Sequence, residues 1–120
     1  MDEKKSEYSL IATIINRGFS DDVMDAARDA GARGGTVVYA HGTGLHEGNG
    51  FFGLSIHPEK ELILILSDEE HRKEIMQAIV RHNGLSTEGA GITFSLPVTN
   101  VAGIANINSR PDDDEAEKTE

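Results

Sequence analysis

Residues 62–84, LILILSDEEHRKEIMQAIVRHNG, decide the fold because they contain a strand, a helix start and a helix end in succession. The run LILILS is apolar at all but its last position, which predicts a strand buried on both faces or at a subunit interface. Ser67 and Glu70 have the spacing of a capping box, so we expect a helix to begin at this point. Gly84 then ends the helix.

This helix has an apolar stripe that is expected to face the core. The stripe and its flanks comprise Ile75, Ala78, Ile79 and His82, with Met76 and Val80 beside them. We expect His71 to be solvent-exposed and His82 to act favourably at the helix C-terminus.

A second strand–helix unit precedes this one. Residues 8–16, YSLIATIIN, are rich in β-branched and aliphatic residues and predict a buried strand. Ser20 is the expected N-cap of the helix DDVMDAARDA, and Gly31 its end. The inward face of that helix is predicted to carry Val23, Ala26, Ala27 and Ala30.

The remaining strands are shorter or interrupted. Thr36 to about His41 predicts a strand, and the glycine-rich residues that follow it predict an exposed loop. FFGLSI resumes extended structure before HPEKE interrupts it. The stretch ITFSLPVTNVAGI predicts the last strand, where Pro97 suggests a sheet edge or a bend.

The resulting order, β-α-β-β-α-β, is the ferredoxin-like arrangement. It predicts an α+β sandwich in which two helices cover one face of a four-stranded antiparallel sheet. The strands are apolar on both alternations, so the other sheet face should be apolar and uncovered. Burial against further copies of the chain is the expected solution, and we predict a homo-oligomer that forms through the sheet.

Composition limits the class of protein. The 120 residues fit one domain, with residues 1–7 as a flexible N-terminus, 8–106 as the folded domain and 107–120 as an acidic, disordered tail. A formal net charge of −10 argues against nucleic-acid binding, and the absence of cysteine excludes disulfides and thiolate chemistry. No apolar run is long enough for membrane insertion. The charged first residues lack a signal core, so we expect a cytoplasmic protein.

Two further groups of residues could carry chemistry. His41, His46 and His57 surround the glycine-rich loop and could bind a metal, although no tight ligand spacing is present. Glu59 and Glu61 could act as paired carboxylates, but Glu59-Lys60-Glu61 is typical of a solvated strand face without a pocket. The sequence therefore predicts a protein that is not an enzyme.

Three motifs, in this order, resemble the P-II signal-transduction family over about residues 8–105. They are GFSDDVMDAARDAGARGGTVVYAHGTG, IHPEKELILIL and EIMQAIVRHNGLSTEGAGITFSLPV. The chain looks like a divergent member. The resemblance implies a homotrimer with its sheets at the centre and a T-loop that contacts a target protein, such as a transporter or an enzyme, as in nitrogen regulation. It also implies that adenine nucleotides (AMP, ADP or ATP) bind in the clefts between subunits.

The resemblance also implies roles for individual residues. The ligand-binding positions would be Thr36, Gly42, Thr43, Gly44, Thr87, Glu88, Gly89, Ala90, Gly91 and Ile92. The partner-binding positions, within the loop 42–52, would be Leu45, His46, Glu47, Gly48, Asn49 and Gly50.

Three cations of the family pattern are missing from this chain. Ile92 replaces the lysine that ends the phosphate-binding B-loop, and Gly103 and Ala105 replace two arginines. Because a charge-assisted contact contributes about 1.5–3 kcal/mol, the phosphate site is expected to be weakened. Arg33, Arg81 or Arg110 could substitute. The alternatives are a metal-binding trimer that uses the loop histidines, and a scaffold that binds no small molecule.

Overall fold

A computed structural model of the chain describes residues 7–42, 59–83 and 91–103. Its elements, in chain order, are β1 Tyr8–Asn16, α1 Ser20–Asp29, β2 Thr36–His41, β3 Glu59–Asp68, α2 Glu69–Asn83 and β4 Gly91–Val98. The predicted order of strands and helices is confirmed.

The four strands form one antiparallel sheet in the order β2-β3-β1-β4. In register, Thr13 of β1 lies between Ile63 of β3 and Thr93 of β4, and the two threonine hydroxyls are 3.0 Å apart. This is the ferredoxin-like topology that the sequence predicts. Pro97 lies in β4, an edge strand, where a missing N–H is tolerated.

The core lies between the two helices and one face of the sheet. It is built from β-branched residues of the central strands and small or aliphatic residues of the helices: Ile11, Ile15, Val23, Met24, Ala27, Ile63, Ile65, Ile75 and Ile79. The predicted stripe of α1 is therefore largely confirmed, with Met24 as an additional member. Neither α1 nor α2 is long and apolar enough to cross a membrane.

Two strands have different bounds from those expected. β3 begins at Glu59 instead of Leu62, because Asn16 at the end of β1 pairs with Lys60 and extends the ladder. β4 ends at Val98 instead of continuing to about residue 104, because Val98 pairs with Tyr8, the first residue of β1. Long-range pairing with β1 thus sets both bounds.

Both predicted helix caps are wrong by one residue. Ser20 is the first residue of α1, whose N-cap is Phe19 and has no side-chain hydrogen bond. At α2, Ser67 is still in the strand, and Asp68 Oδ1 accepts a hydrogen bond of 2.8 Å from the His71 amide. Ser67 is buried and its hydroxyl donates to the Asp68 carbonyl. The longer ladder of β3 therefore moves the cap from Ser67 to Asp68.

The two histidines of α2 also differ from expectation. His71 is only half exposed, because its ring bonds to Asp68 and lies against Gly31 at the end of α1. His82 is exposed rather than part of the inward stripe. Ile75 and Ile79 are the fully buried residues of α2 in the core cluster, and the partly buried Met76 packs against it.

The sheet face away from the helices, here called the open face, carries three rows of cross-strand partners. The rows are Leu66–Leu10–Leu96, Thr36–Leu64–Ala12–Phe94 and Val38–Leu62–Ile14–Ile92. Val38, Phe94 and Leu96 are among the most exposed large apolar residues of the described chain. An apolar surface of this extent is typical of an interaction surface.

Candidate functional site

Two of the predicted ligand-binding glycines lie at one end of the sheet. Gly42 directly follows β2, and Gly91 begins β4 with φ +151°. Antiparallel pairing places both beside the end of β1 and the start of β3, a region here called the loop end (Asn16, Gly42, Glu59, Lys60 and Gly91). Within one chain the two glycines are on opposite edge strands, about 14 Å apart across three strand spacings. They are also offset by about 10 Å along the strands, because Gly91 is level with Tyr39, three residues before Gly42.

The other two described ligand-binding candidates are on the open face. Thr36 lies in the row of Leu64 and Phe94, away from the loop end. Ile92, which the resemblance matches to the family lysine, is half-buried in a row of aliphatic side chains. Its apolar character therefore fits the sheet surface on which it lies.

Lys60 is buried, whereas the sequence predicts it on a solvated strand face. It is 1% exposed, and its Nζ donates a hydrogen bond of 2.6 Å to Asn16 Oδ1. A Cβ atom added to Gly42 would be 3.1 Å from Lys60 Cε and Cγ, so the lysine stem packs on the Gly42 backbone. Burial lowers the pKa of the Lys60 ammonium below its usual value because desolvation disfavours the charged form.

Of the two neighbouring acids, Glu61 departs from the solvated strand face that the sequence predicts, and Glu59 does not. Glu61 is buried, and its Oε1 accepts a hydrogen bond of 2.7 Å from the Gly18 amide. Glu59 is exposed and pairs with Arg17 at 3.4 Å, and Arg17 also stacks over the Tyr39 ring at 4.6 Å. These contacts lie on the helix side of the sheet, because alternate strand residues point to opposite faces.

The structure describes two of the three candidate replacement cations, Arg33 and Arg81. Arg33 precedes β2, at the far end of that strand from Gly42. Arg81 lines a groove of about 490 Å³ between α2 and β4, together with Met76, Gln77, Val80 and Thr93. Since Thr93 shares a face with Thr13 and Ile63, this groove is on the helix side. Two other described cations, Lys60 and Arg17, contact residues of the loop end.

Part of the predicted site falls outside the described residues. This part comprises Thr43, Gly44, Thr87, Glu88, Gly89, Ala90, the loop residues 45–50, which include His46, and His57, Ala105 and Arg110. His41, the remaining metal-ligand candidate, is exposed at the end of β2 opposite Glu59. Within residues 7–42, 59–83 and 91–103, no three histidine, aspartate or glutamate side chains group as metal ligands.

A signal in the sequence could have identified Lys60. If the strand alternation of LILIL is extended backwards, Lys60 falls on the same face as Leu62, Leu64 and Leu66. A lysine in an otherwise apolar row requires a polar partner, and Asn16 at the end of β1 supplies one. Pro58 predicts an interruption of the strand, because proline cannot donate to a sheet ladder. The sequence therefore predicts a strand that begins after Lys60.

Comparisons with known proteins agree with this geometry. A family model described as nitrogen regulatory protein P-II matches residues 8–106. Among solved structures, the crystal structure of Arabidopsis thaliana PII bound to citrate is similar, with a TM-score of 0.63 and 19% identity over 89% of each chain. At that identity the likeness concerns the fold. A search of curated proteins finds no significant match.

Proposed function

Because the chain belongs to the P-II family, we propose that it is a trimeric regulator that binds a small anionic effector between subunits and then acts on a partner protein. Proteins of this family are regulators that form trimers and act on partner proteins. The loop 42–52 is the proposed contact with the partner, and a transporter or an enzyme is the proposed target. Adenine nucleotides are the proposed effectors.

The open face is the observation that carries this proposal. Its rows of leucine, isoleucine and phenylalanine have no covering helix in the described chain, since both helices pack on the opposite face. Three copies arranged around an axis would bury these rows against one another. Burial of apolar area contributes about 25 cal/mol per Å², so a face of this size can support a stable assembly.

The separation of Gly42 and Gly91 supports an effector site between subunits. Within one chain they are on opposite edges of the loop end, with β3 and β1 between them. In a closed trimer, the edge strands of neighbouring subunits approach each other. Gly42 of one subunit and Gly91 of the next would then line the same cleft, where their backbone amides can approach a ligand closely.

Calorimetry on the purified trimer tests the effector assignment. AMP, ADP and ATP should each be titrated, with citrate as a carboxylate ligand, because the Arabidopsis protein was solved with citrate bound. Saturable heat for at least one nucleotide is the expected result. A folded trimer that gives no heat with any nucleotide would remove nucleotide sensing from the proposal.

The partner assignment needs a separate experiment. Tagged protein should be used to capture targets from a lysate with and without the nucleotide that calorimetry identifies. A specific partner whose recovery changes with nucleotide is expected, because a ligand shifts a conformational equilibrium only through different affinities for the two states. A partner recovered equally under both conditions would favour the scaffold alternative.

A further inference from the structure

The helix side of the sheet carries exposed aromatic and aliphatic side chains beside β2. Tyr39 is 70% exposed and Val37 40%, and both point to the helix side because they are two residues apart in the strand. Phe19, which directly precedes α1, is 52% exposed. These three residues, here called the helix-side patch, are apolar surface of the kind that marks interaction sites.

Contacts of the turn after β1 hold Phe19 close to β2. The Arg17 guanidinium stacks over the Tyr39 ring, with its central carbon 4.6 Å from the ring centroid. The Gly18 amide donates a hydrogen bond of 2.7 Å to Glu61 Oε1, and Glu61 is the β3 partner of Tyr39. The turn that leads to Phe19 is therefore fixed against the row of the sheet that contains Tyr39.

Assembly through the open face would leave the helix-side patch accessible. Val37 shares its face with Ile63 of the core, whereas its neighbour Val38 belongs to the open face. In the described part of the chain, neither helix covers Val37 or Tyr39. The patch is also next to the loop 42–52, which follows β2 and is the proposed contact with the partner protein. A trimer therefore has an exposed apolar surface beside each of these loops.

The charges around the helix-side patch are mostly negative. Arg17 and Glu59 pair at 3.4 Å, so their charges largely cancel. Asp21 and Asp22 are exposed in the first turn of α1, and no basic side chain of the described residues pairs with them. The Tyr39 ring stacks with one guanidinium, and its large exposed area allows a second cation to approach it. The patch is therefore complementary to a surface that is apolar and positively charged.

We propose that the helix-side patch is a docking surface for a segment of the partner protein that combines apolar residues with lysine or arginine. The inference rests on the proposed function and adds a second contact surface and the chemistry of the partner. Apolar side chains of the segment pack on the patch. Its cations face the Tyr39 ring and the carboxylates of Asp21 and Asp22, which repel acidic segments.

A phage-displayed library of short random peptides tests the chemistry of the docking surface. Selection on the wild-type protein should enrich peptides in which lysine or arginine accompanies apolar residues. Synthetic copies are then titrated by fluorescence anisotropy. Tyr39→Ala should weaken their binding about tenfold, because exposed aromatic residues dominate such contacts.

The acids of α1 provide a second comparison with a matched control. The double variant Asp21→Asn, Asp22→Asn should weaken peptide binding about threefold at low salt and less at high salt, because salt screens exposed charges. Asp29→Asn should leave the affinity unchanged, since Asp29 is an exposed acid at the other end of the same helix. Equal losses for both ends of α1 would contradict the proposed position of the cations.

Backbone amide NMR of the ¹⁵N-labelled wild-type protein covers the case in which a variant fails to fold. A selected peptide should shift the amides of Gly18, Phe19 and Tyr39, and not those of Met76 and Val80 on α2. The docking surface is overturned if selection yields no specific peptide, if the peptides are acidic, if they bind Tyr39→Ala as tightly as wild type, or if they shift other residues. None of these measurements needs a nucleotide. A protein that binds the peptides but no nucleotide therefore loses the effector assignment and keeps the docking surface.

Discussion

At the scale of single residues, position 31 requires glycine for two reasons: its backbone has a positive φ, and His71 leaves no room for a Cβ atom. It follows α1 with φ +117°, and its amide donates to the Arg28 carbonyl while Ala32 donates to Ala27. A Cβ atom at Gly31 would lie 2.6 Å from Cδ2 of His71. The residue therefore ends α1 and allows the two helices to approach each other.

Gly31→Ala should lower the free energy of unfolding by about 2 kcal/mol, since it combines a left-handed backbone with a steric overlap. Urea denaturation monitored by circular dichroism measures the change. Gly34→Ala is the control, because a Cβ atom at Gly34 would meet nothing within 4 Å. Equal destabilisation by both substitutions would contradict the assignment.

His71 makes the same region sensitive to pH. Its Nδ1 is 2.7 Å from Asp68 Oδ1, and this hydrogen bond, followed by the charge of Asp68, raises the pKa of His71. Glu70 and Glu74 raise the pKa further, and partial burial opposes them. A raised pKa in the folded state stabilises the protein fully below the ordinary histidine value, and this contribution is lost as pH rises through the folded pKa.

His71→Gln should therefore destabilise the protein more at a pH of about 5.5 than at about 8.5. The effect should be modest, because the His71 side chain is 42% exposed and solvent screens the pair. Unfolding titrations of wild type and His71→Gln at both pH values measure it. A His71→Gln effect that is the same at both pH values would argue against the Asp68 contact.

At the scale of elements, the two helix starts differ in how they are capped. Asp68→Ala should cost about 1 kcal/mol, because the carboxylate accepts from the His71 amide at the start of α2. Ser20→Ala should change stability by less than about 0.5 kcal/mol, because no side chain caps the start of α1. Chemical denaturation of the two variants compares them directly. A larger loss of stability for Ser20→Ala than for Asp68→Ala would support the N-cap at Ser20 that the sequence predicts.

The bounds of a strand were predictable from sequence where turn residues or glycines end it locally. β1 and β2 have the predicted bounds, because Arg17-Gly18 turns the chain after β1, and glycines flank β2. The start of β3 was not predictable in this way, since Glu59, Lys60 and Glu61 look like a polar bend after a proline. Only pairing with β1 shows that they extend the strand.

The same distinction applies to the candidate site. Topology alone places Gly42 and Gly91 at one end of the sheet, because antiparallel strands bring those ends together. The buried Lys60 donates a hydrogen bond to Asn16, which is 44 residues away in sequence, and no local pattern identifies that partner. Contacts at such separation are created by the fold, so the sequence identified the glycines and missed the lysine.

At the scale of the whole molecule, the net charge opposes assembly, so burial of an apolar face has to outweigh it. The chain carries a formal net charge of −10, so three copies repel one another unless burial outweighs the repulsion. The open face supplies leucine, isoleucine and phenylalanine for that burial. Assembly should therefore be sensitive to a single new charge on this face and much less sensitive to one on the helix side.

Val37 and Val38 allow that comparison with matched substitutions. They are adjacent in β2 and equally exposed, at 40% and 41%, but Val37 is on the face of Ile63, and Val38 on the open face with Leu62. Val38→Glu should dissociate the proposed trimer, because burying an unpaired carboxylate costs several kcal/mol at each interface. Val37→Glu adds the same charge to the same strand and should leave the trimer intact. Sedimentation velocity gives the mass of each species, and circular dichroism confirms that both variants remain folded. A trimeric Val38→Glu variant, or two variants that dissociate equally, would show that the chains assemble through a different surface.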